Sequence, residues 1–394
     1  MKKILIKIMI LLYIMMPIQN IKAIDTYSNN AILYNLNDDK ILFEKNSNEQ
    51  VKIASLTKIM TAIVALEKIE DIKEQVNMPK EAYLDLEGYV ISGIKPNDKV
   101  TYEDILYGIM LPSGADCANA IAILTYGSID KFVEKMNEYA KKLNLNNTKF
   151  SNPVGKDDDN YSTISDLSIL LKYALKNEEF YKIFTTKEYI TTNNIILKST
   201  ITEKSQKNNL DSTNILGSKT GFTDEAGNCL ASISKIDNVK YMLITTKANG
   251  IYNVIDAINI YDYYSKNYSY KKILEYNQPI TTIKINKKEY TIYSNKDIYK
   301  FLNNDIDSSK LTYTYEGLTD LNYKNKKDEK IGTLTIKYDN EILATENVYL
   351  DKNIKNYNYI YIIIPILLLI PLYTIILKRK KYNLQNKKHL IYLK

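Results

Sequence analysis

The chain has 394 residues, 45% hydrophobic and 25% charged, which is enough apolar material for two globular domains with buried cores. Part of its formal charge of +7 gathers at Lys378, Arg379, Lys380, Lys381, Lys387 and Lys388, and no basic-aromatic recognition motif stands elsewhere, so nucleic acid is not an expected partner. The single histidine, His389, lies in the same tail, which excludes a Ser-His-Asp triad, a Cys-His pair and a histidine-ligated zinc from the main body; no metal or cofactor is implied.

Lys2 and Lys3, an apolar stretch over 8–18 and the small residue Ala23 read as an export signal at 1–23. Ile21 stands where a small residue is preferred, so an uncleaved N-terminal anchor is the alternative. Residues 31–34 and 41–44 alternate as a hairpin with Asn37-Asp38-Asp39 at its turn. Helices are predicted over 55–68, 102–110, 116–124, 130–143 and 165–175. Residues 229–235 and 240–246 alternate like paired strands, and 254–264 read as a closing helix. Helices lying between early and late strands predict an α+β domain over 24–266, its sheet assembled from both chain ends.

From 267 to 352 the pattern changes. Segments 280–285, 289–293, 311–315, 331–338 and 341–348 are short, β-branched and alternating, with Asp339-Asn340 as a hairpin turn, which predicts a separate small all-β domain. Residues 359–377 form an uncharged apolar run of nearly bilayer length, with Tyr357, Tyr359, Tyr361 and Tyr373 near its ends. Pro365 and Pro371 are tolerable in a membrane helix. The basic cluster just beyond it places 379–394 in the cytoplasm and a transmembrane helix at 357–378. A signal in front and a stop-transfer behind put the middle outside the cell. Cys117 and Cys229 are too few for a disulfide framework; they read as small buried hydrophobes, with one bridge between them left open.

Three constellations carry chemistry. In Ser55-Leu56-Thr57-Lys58 the hydroxyl and the amine share one helix face. A serine is a poor nucleophile until a base takes its proton, and a lysine whose pKa is lowered by burial can be that base. The helix N-terminus adds N–H groups suited to an oxyanion. In Pro112-Ser113-Gly114-Ala115-Asp116, Ser113 offers a second hydroxyl to relay a proton; the bland alternative is a helix cap. In Lys219-Thr220-Gly221 the lysine supplies charge for a carboxylate, and the glycine lets another chain approach closely; the bland alternative is a turn. No arginine precedes Arg379, so carboxylate recognition in the body rests on lysine and hydroxyl donors.

In this order the three motifs resemble the set of class A β-lactamases and penicillin-binding proteins, and most closely the D-alanyl-D-alanine carboxypeptidases. Supporting stretches are Ala54-Ser55-Leu56-Thr57-Lys58-Ile59-Met60-Thr61, Leu111-Pro112-Ser113-Gly114 and Lys219-Thr220-Gly221-Phe222-Thr223. Phe150-Ser151-Asn152-Pro153-Val154-Gly155, with Asp157 to Asp159, Tyr161-Ser162-Thr163 and Asp166, looks like the family's loop after the helical lobe. The resemblance implies a β-lactamase/transpeptidase-like catalytic domain, an antiparallel sheet flanked by helices plus a helical lobe. It implies Ser55 as acylated nucleophile, Lys58 as its base and Ser113 as proton relay. Lys219 and Thr220 would hold the substrate carboxylate, and the N–H groups of Ser55 and Phe222 the oxyanion. The implied partners are a peptidoglycan stem peptide ending in D-Ala-D-Ala, β-lactam antibiotics and the cytoplasmic membrane. Ala115 departs from the family's asparagine, Phe222 from a histidine found in some members, and Asn160 from a common loop histidine. Two other readings stay open. One is a penicillin-binding sensor or scaffold without catalysis, which Ala115 keeps in view. The other is a β-lactamase, against which stands the lack of a loop matching that enzyme's glutamate motif.

Overall fold

The computed structural model describes residues 24–156, 160–285, 288–322, 324–351, 353–354 and 358–391. The expected export signal and Asp157 to Asp159 lie outside the described residues. The chain divides into two compact units, at Met1–Lys266 and Asn267–Lys394.

The first unit is built on a five-stranded antiparallel sheet of β1 (Asn30–Asn35), β2 (Lys40–Lys45), β3 (Gly217–Thr223), β4 (Gly227–Ile236) and β5 (Val239–Ala248). The strand order is β2-β1-β5-β4-β3, so β1 pairs with the last strand in sequence and the sheet joins both chain ends. Asp237 and Asn238, both at positive φ, turn β4 into β5, residue types that tolerate the left-handed region of a two-residue hairpin turn. Successive strand residues face opposite sides. Cys229, Ala231 and Ile233 therefore join one core with Met242 and Ile244 from β5, whereas Ser232 meets Tyr261 on the other side, their hydroxyls 2.9 Å apart. Tyr261 belongs to helix Tyr252–Asn267, whose buried Val254, Ala257, Ile260, Tyr261 and Tyr264 recur at helical spacing.

On the first face lie α1 (Thr57–Leu66), α2 (Tyr102–Met110), α3 (Ala115–Tyr126), α4 (Ile129–Lys142), α5 (Ile164–Ala174) and α6 (Glu178–Thr185), while α7 (Thr200–Lys207) packs at the edge strand β3, its Thr200 hydroxyl 2.6 Å from that of Thr220. Helix α1 is buried at every residue, as expected of a helix apolar on all sides, except that Lys58 lies within it. Thr101 caps α2 through a reciprocal box with Asp104. Cys117 and Cys229 are free buried thiols, so the open alternative of a bridge does not hold.

Apart from a 3-10 turn at Ser308–Lys310, the regular structure of the second unit is β among its described residues until residue 358. Its three sheets pair Tyr268–Leu274 with Ile298–Asn303, Pro279–Ile285 with Lys288–Tyr293 and Asp320–Leu321, and Lys330–Tyr338 with Leu311–Gly317 and Glu341–Tyr349. Asp339 and Asn340 form the predicted hairpin turn, both at positive φ. Helix Asn358–Ile391 comes next, containing Pro365 and Pro371 and running on through the basic cluster. Its segment Ile360–Leu384 is long and apolar enough to cross a membrane, and none of it is buried.

Candidate active site

Ser55 does not open the α-helix proper, as the spacing predicts; it sits in a 3-10 turn, Ala54–Leu56, that leads into α1. Ala54 takes φ of 45°, a left-handed conformation that costs an alanine about 1–2 kcal/mol. Two close approaches hold that turn. A Cβ at Gly155 would meet the Ala54 carbonyl oxygen at 2.0 Å, and a Cβ at Gly221 would meet the Ser55 nitrogen at 2.9 Å. The loop at 151–156 and strand β3 thus press on the serine from two directions, each through a glycine.

One turn into the helix, Lys58 points back to the serine, with Nζ 3.1 Å from Ser55 Oγ and 2.8 Å from the Val154 carbonyl. It is 1% exposed, and no carboxylate pairs with it among the described residues. Burial brings its pKa down to about 7, although the charge of Asp116 opposes the fall. Asp116 is spent elsewhere. It accepts bonds from the Ser92 nitrogen at 2.9 Å and hydroxyl at 2.6 Å, and burial lifts its carboxyl above the usual range.

Ser113, at φ of 71°, lies in the turn before α3. Its hydroxyl accepts a 2.8 Å bond from Lys219 Nζ, which also donates to the Thr220 carbonyl at 2.7 Å. Lys219 is the third residue of β3, inside the strand and not in the turn of the bland alternative. It is completely buried; desolvation holds its pKa well below the lysine range, and the charges of Lys58 and Lys204 push the same way. The Thr220 hydroxyl is 2.6 Å from that of Thr200 on α7. Phe222 is 59% exposed, so its side chain forms no part of the buried polar set. Ala115 is buried, and its nitrogen donates to the Val90 carbonyl at 2.8 Å. Asn119 is turned away, donating to the Ala82 carbonyl at 3.3 Å.

The structure thus joins Ser55 to Lys58, and Lys219 to Ser113 and the Thr220 carbonyl, while Gly221 of β3 lies against the serine turn. Sequence reasoning did not find the organiser of the 151–156 loop. Asn160, 1% exposed, accepts from Ser151 nitrogen at 2.6 Å and hydroxyl at 2.7 Å, and donates to Thr57 Oγ1 at 3.1 Å. Asn152 Oδ1 caps the turn by accepting from Val154 and Gly155 nitrogens at 3.0 and 2.6 Å. The signal was the Asn-Pro-x-Gly run at Asn152, a turn sequence. Among the described residues no cluster of metal-ligating side chains occurs.

The D-alanyl-D-alanine carboxypeptidase family of S11 peptidases matches residues 18–250, and the C-terminal domain of penicillin-binding protein 5 matches residues 268–356. D-alanyl-D-alanine carboxypeptidase DacF of Bacillus subtilis is 29% identical over 348 residues, covering 84% of this chain and 86% of that protein. D-alanyl-D-alanine carboxypeptidase DacC of Escherichia coli is 35% identical over 230 residues, 56% of each chain. In fold, the chain resembles D-alanyl-D-alanine carboxypeptidase DacD from Francisella tularensis at a TM-score of 0.67, over 84% of this chain and 95% of that one, at 22% identity. The Streptomyces K15 DD-transpeptidase superposes at a TM-score of 0.55 with 29% identity, over 61% of this chain and 98% of that one. With more than half of its length matched, this chain belongs to the D-alanyl-D-alanine carboxypeptidase family of serine peptidases.

Proposed function

We propose that this chain removes the terminal D-Ala from peptidoglycan pentapeptides through an acyl-enzyme on Ser55. The observation that carries the reading is the contact of Lys58 Nζ with Ser55 Oγ at 3.1 Å in a site without imidazole. With its pKa near 7, Lys58 is partly free amine at neutral pH. The Ser55 proton passes to Lys58 as Oγ attacks the carbonyl of the penultimate D-Ala. The oxyanion is received by the Ser55 and Phe222 N–H groups. Ser113 relays the proton from Lys58 to the leaving amine, the C–N bond breaks, and free D-Ala departs. Water then attacks the ester, returns a proton to Ser55 and releases the shortened peptide. Lys219 and Thr220 hold the substrate's terminal carboxylate. A β-lactam enters the same path, its ring amide standing for the scissile bond.

The domain limits that fit this reading are a signal at 1–23, a catalytic domain at 24–266, an all-β domain at 267–352, a membrane helix at 357–378 and a cytoplasmic basic tail at 379–394. The catalytic domain then works outside the cell, anchored to the cytoplasmic membrane. The test is mass spectrometry of a defined pentapeptide incubated with the protein, run beside fluorescent penicillin labelling. Loss of one D-Ala and slow loss of label support a carboxypeptidase; rapid label turnover supports a β-lactamase, and labelling without D-Ala release a sensor. Ser55→Ala is expected to abolish labelling while the protein melts within a few degrees of wild type. Covalent labelling of that variant would place the nucleophile elsewhere.

A further inference from the structure

One end of the second unit carries positive charge that its own acids do not meet. In the sheet of Leu311–Gly317, Lys330–Tyr338 and Glu341–Tyr349, Lys330 is the register partner of Tyr349, and Leu311 that of Tyr338. The chain therefore leaves the sheet toward helix Asn358–Ile391 at the end where Lys330 enters it. The loop before Lys330 is tied to that exit. The Asp328 nitrogen donates to the Leu350 carbonyl at 2.7 Å, the Leu350 nitrogen to the Glu329 carbonyl at 2.9 Å, and the Lys327 nitrogen to Asn353 Oδ1 at 2.8 Å. From Asn353 to Asn358, where the helix begins, the chain spans at most about 18 Å.

Lys324, Lys326, Lys327 and Lys330 lie on this loop, all exposed. No carboxylate pairs with any of the four; among the described residues, the ion pairs of this unit fall on Lys272, Lys296 and Lys310. Glu329 turns its carboxylate onto the loop itself, accepting from the Lys326 nitrogen at 2.8 Å and from Asn325 Nδ2 at 3.2 Å. Asp328 is the other acid of the segment. At the opposite end of the strand that Lys330 opens, about 27 Å away, Lys310 is paired with Asp339. The unpaired cations thus gather at the end from which the apolar helix departs.

We propose that the lysine loop 324–330 docks on the anionic headgroups of the membrane that the C-terminal helix enters, so that the second unit rests on the bilayer with this end down. This rests on that helix being the membrane anchor. Attraction between lysines and an anionic leaflet falls off within a Debye length of about 8 Å, so it acts only on groups held at the surface. The short connection to the helix keeps the loop in that zone and makes the contact intramolecular, with no need for high affinity. Continuity with the anchor is what favours lipid as the occupant over a soluble anionic polymer.

The full-length protein tests it in lipid nanodiscs, one set of phosphatidylcholine alone and one with about 30% phosphatidylglycerol. Lysines are acetylated with sulfosuccinimidyl acetate and their rates read by mass spectrometry. Lys324, Lys326, Lys327 and Lys330 are expected to react about fivefold more slowly in the anionic discs, with Lys310 unchanged. Salt at about 1 M is expected to remove the difference. Lys326→Gln with Lys327→Gln should return Lys324 and Lys330 to their rates in neutral discs, whereas Lys326→Arg with Lys327→Arg should keep them protected, since charge and not shape makes the contact. A chain that does not co-purify with discs of either kind sinks the anchor and this inference with it. A chain that co-purifies but shows equal rates in the two lipids, or equal protection at Lys310, overturns the docking surface alone. Protection by soluble polyphosphate in neutral discs, without protection by phosphatidylglycerol, assigns the loop to an anionic polymer and overturns it as well.

Discussion

At the scale of single residues, the proposed reaction depends on one amine being neutral. At an ordinary lysine pKa of about 10.4, roughly one molecule in 2,500 carries a free amine at pH 7. Burial of Lys58 in an all-buried helix brings the value to about 7, so about half of the molecules are competent there. The base works deprotonated, which fixes the sign. The acylation rate constant with benzylpenicillin, whose carboxylate stays ionised in this range, is expected to climb about tenfold per pH unit below 7. It then levels off above that value. A stopped-flow series from pH 5.5 to 9 reads this directly. A profile flat across that range, or one still rising near pH 9, would show that Lys58 is not the titrating base. The motif Ser-x-x-Lys was visible in the sequence, as was the lack of imidazole. The burial that tunes the amine was not, because it comes from α1 being enclosed on every side by segments distant in the chain.

At the scale of elements, two glycines decide how closely separate segments approach Ser55, the proposed nucleophile. Gly221 puts β3 against the Ser55 turn, and a methyl there would sit 2.9 Å from the Ser55 nitrogen and 3.0 Å from the Ala54 Cβ. Gly221→Ala is expected to shift strand and serine apart and to slow acylation about 100-fold, since a misplacement of about 1 Å costs that much. Gly155 has φ of 88°, and its added methyl would meet backbone at 2.0 Å. Gly155→Ala therefore combines left-handed strain with overpacking, and should lower unfolding free energy by about 3 kcal/mol. Chemical denaturation and acylation rates measured on both variants separate the effects. Equal loss of stability in the two, or normal acylation in Gly221→Ala, would contradict these roles. Periodicity revealed the long elements well: 102–110 is the observed Tyr102–Met110, and the hairpin at 31–44 and strands at 229–246 fall where expected. It did not reveal α6, α7 or the short ladder Glu188–Ile190 with Ile196–Lys198. Helix α7 buries two of its eight residues, Ile201 and Ser205, too few to mark an apolar face. The short ladder offers three residues a side, below the length at which alternation stands out.

At the scale of the molecule, the proposed site and the proposed membrane anchor fall in different compact units. Every proposed site residue lies between Ser55 and Phe222, inside the first unit, which has its own core of more than forty buried residues around α1. The second unit has small cores of its own, one around Leu334 and Ile336 and one around Leu321 and Ile331. Beyond them stands Ile360–Leu384, 25 residues with no part buried. At 1.5 Å per residue it extends about 38 Å, enough to cross a hydrocarbon core of about 30 Å with some tilt. Within it residues 360–377 carry no charge and are exposed throughout, an apolar surface suited to lipid. Ending the chain after residue 354 is therefore expected to move it from the membrane fraction to the soluble fraction. Turnover of a small soluble peptide should stay within about twofold, because nothing removed belongs to the cleft. Fractionation and kinetics on the two forms check both halves. Retention of the shortened chain on membranes would locate the anchor elsewhere, at the N-terminal apolar stretch first of all. A shortened chain that is soluble but inactive toward the small peptide would mean that the catalytic unit depends on the C-terminal helix, against the separation of the cores.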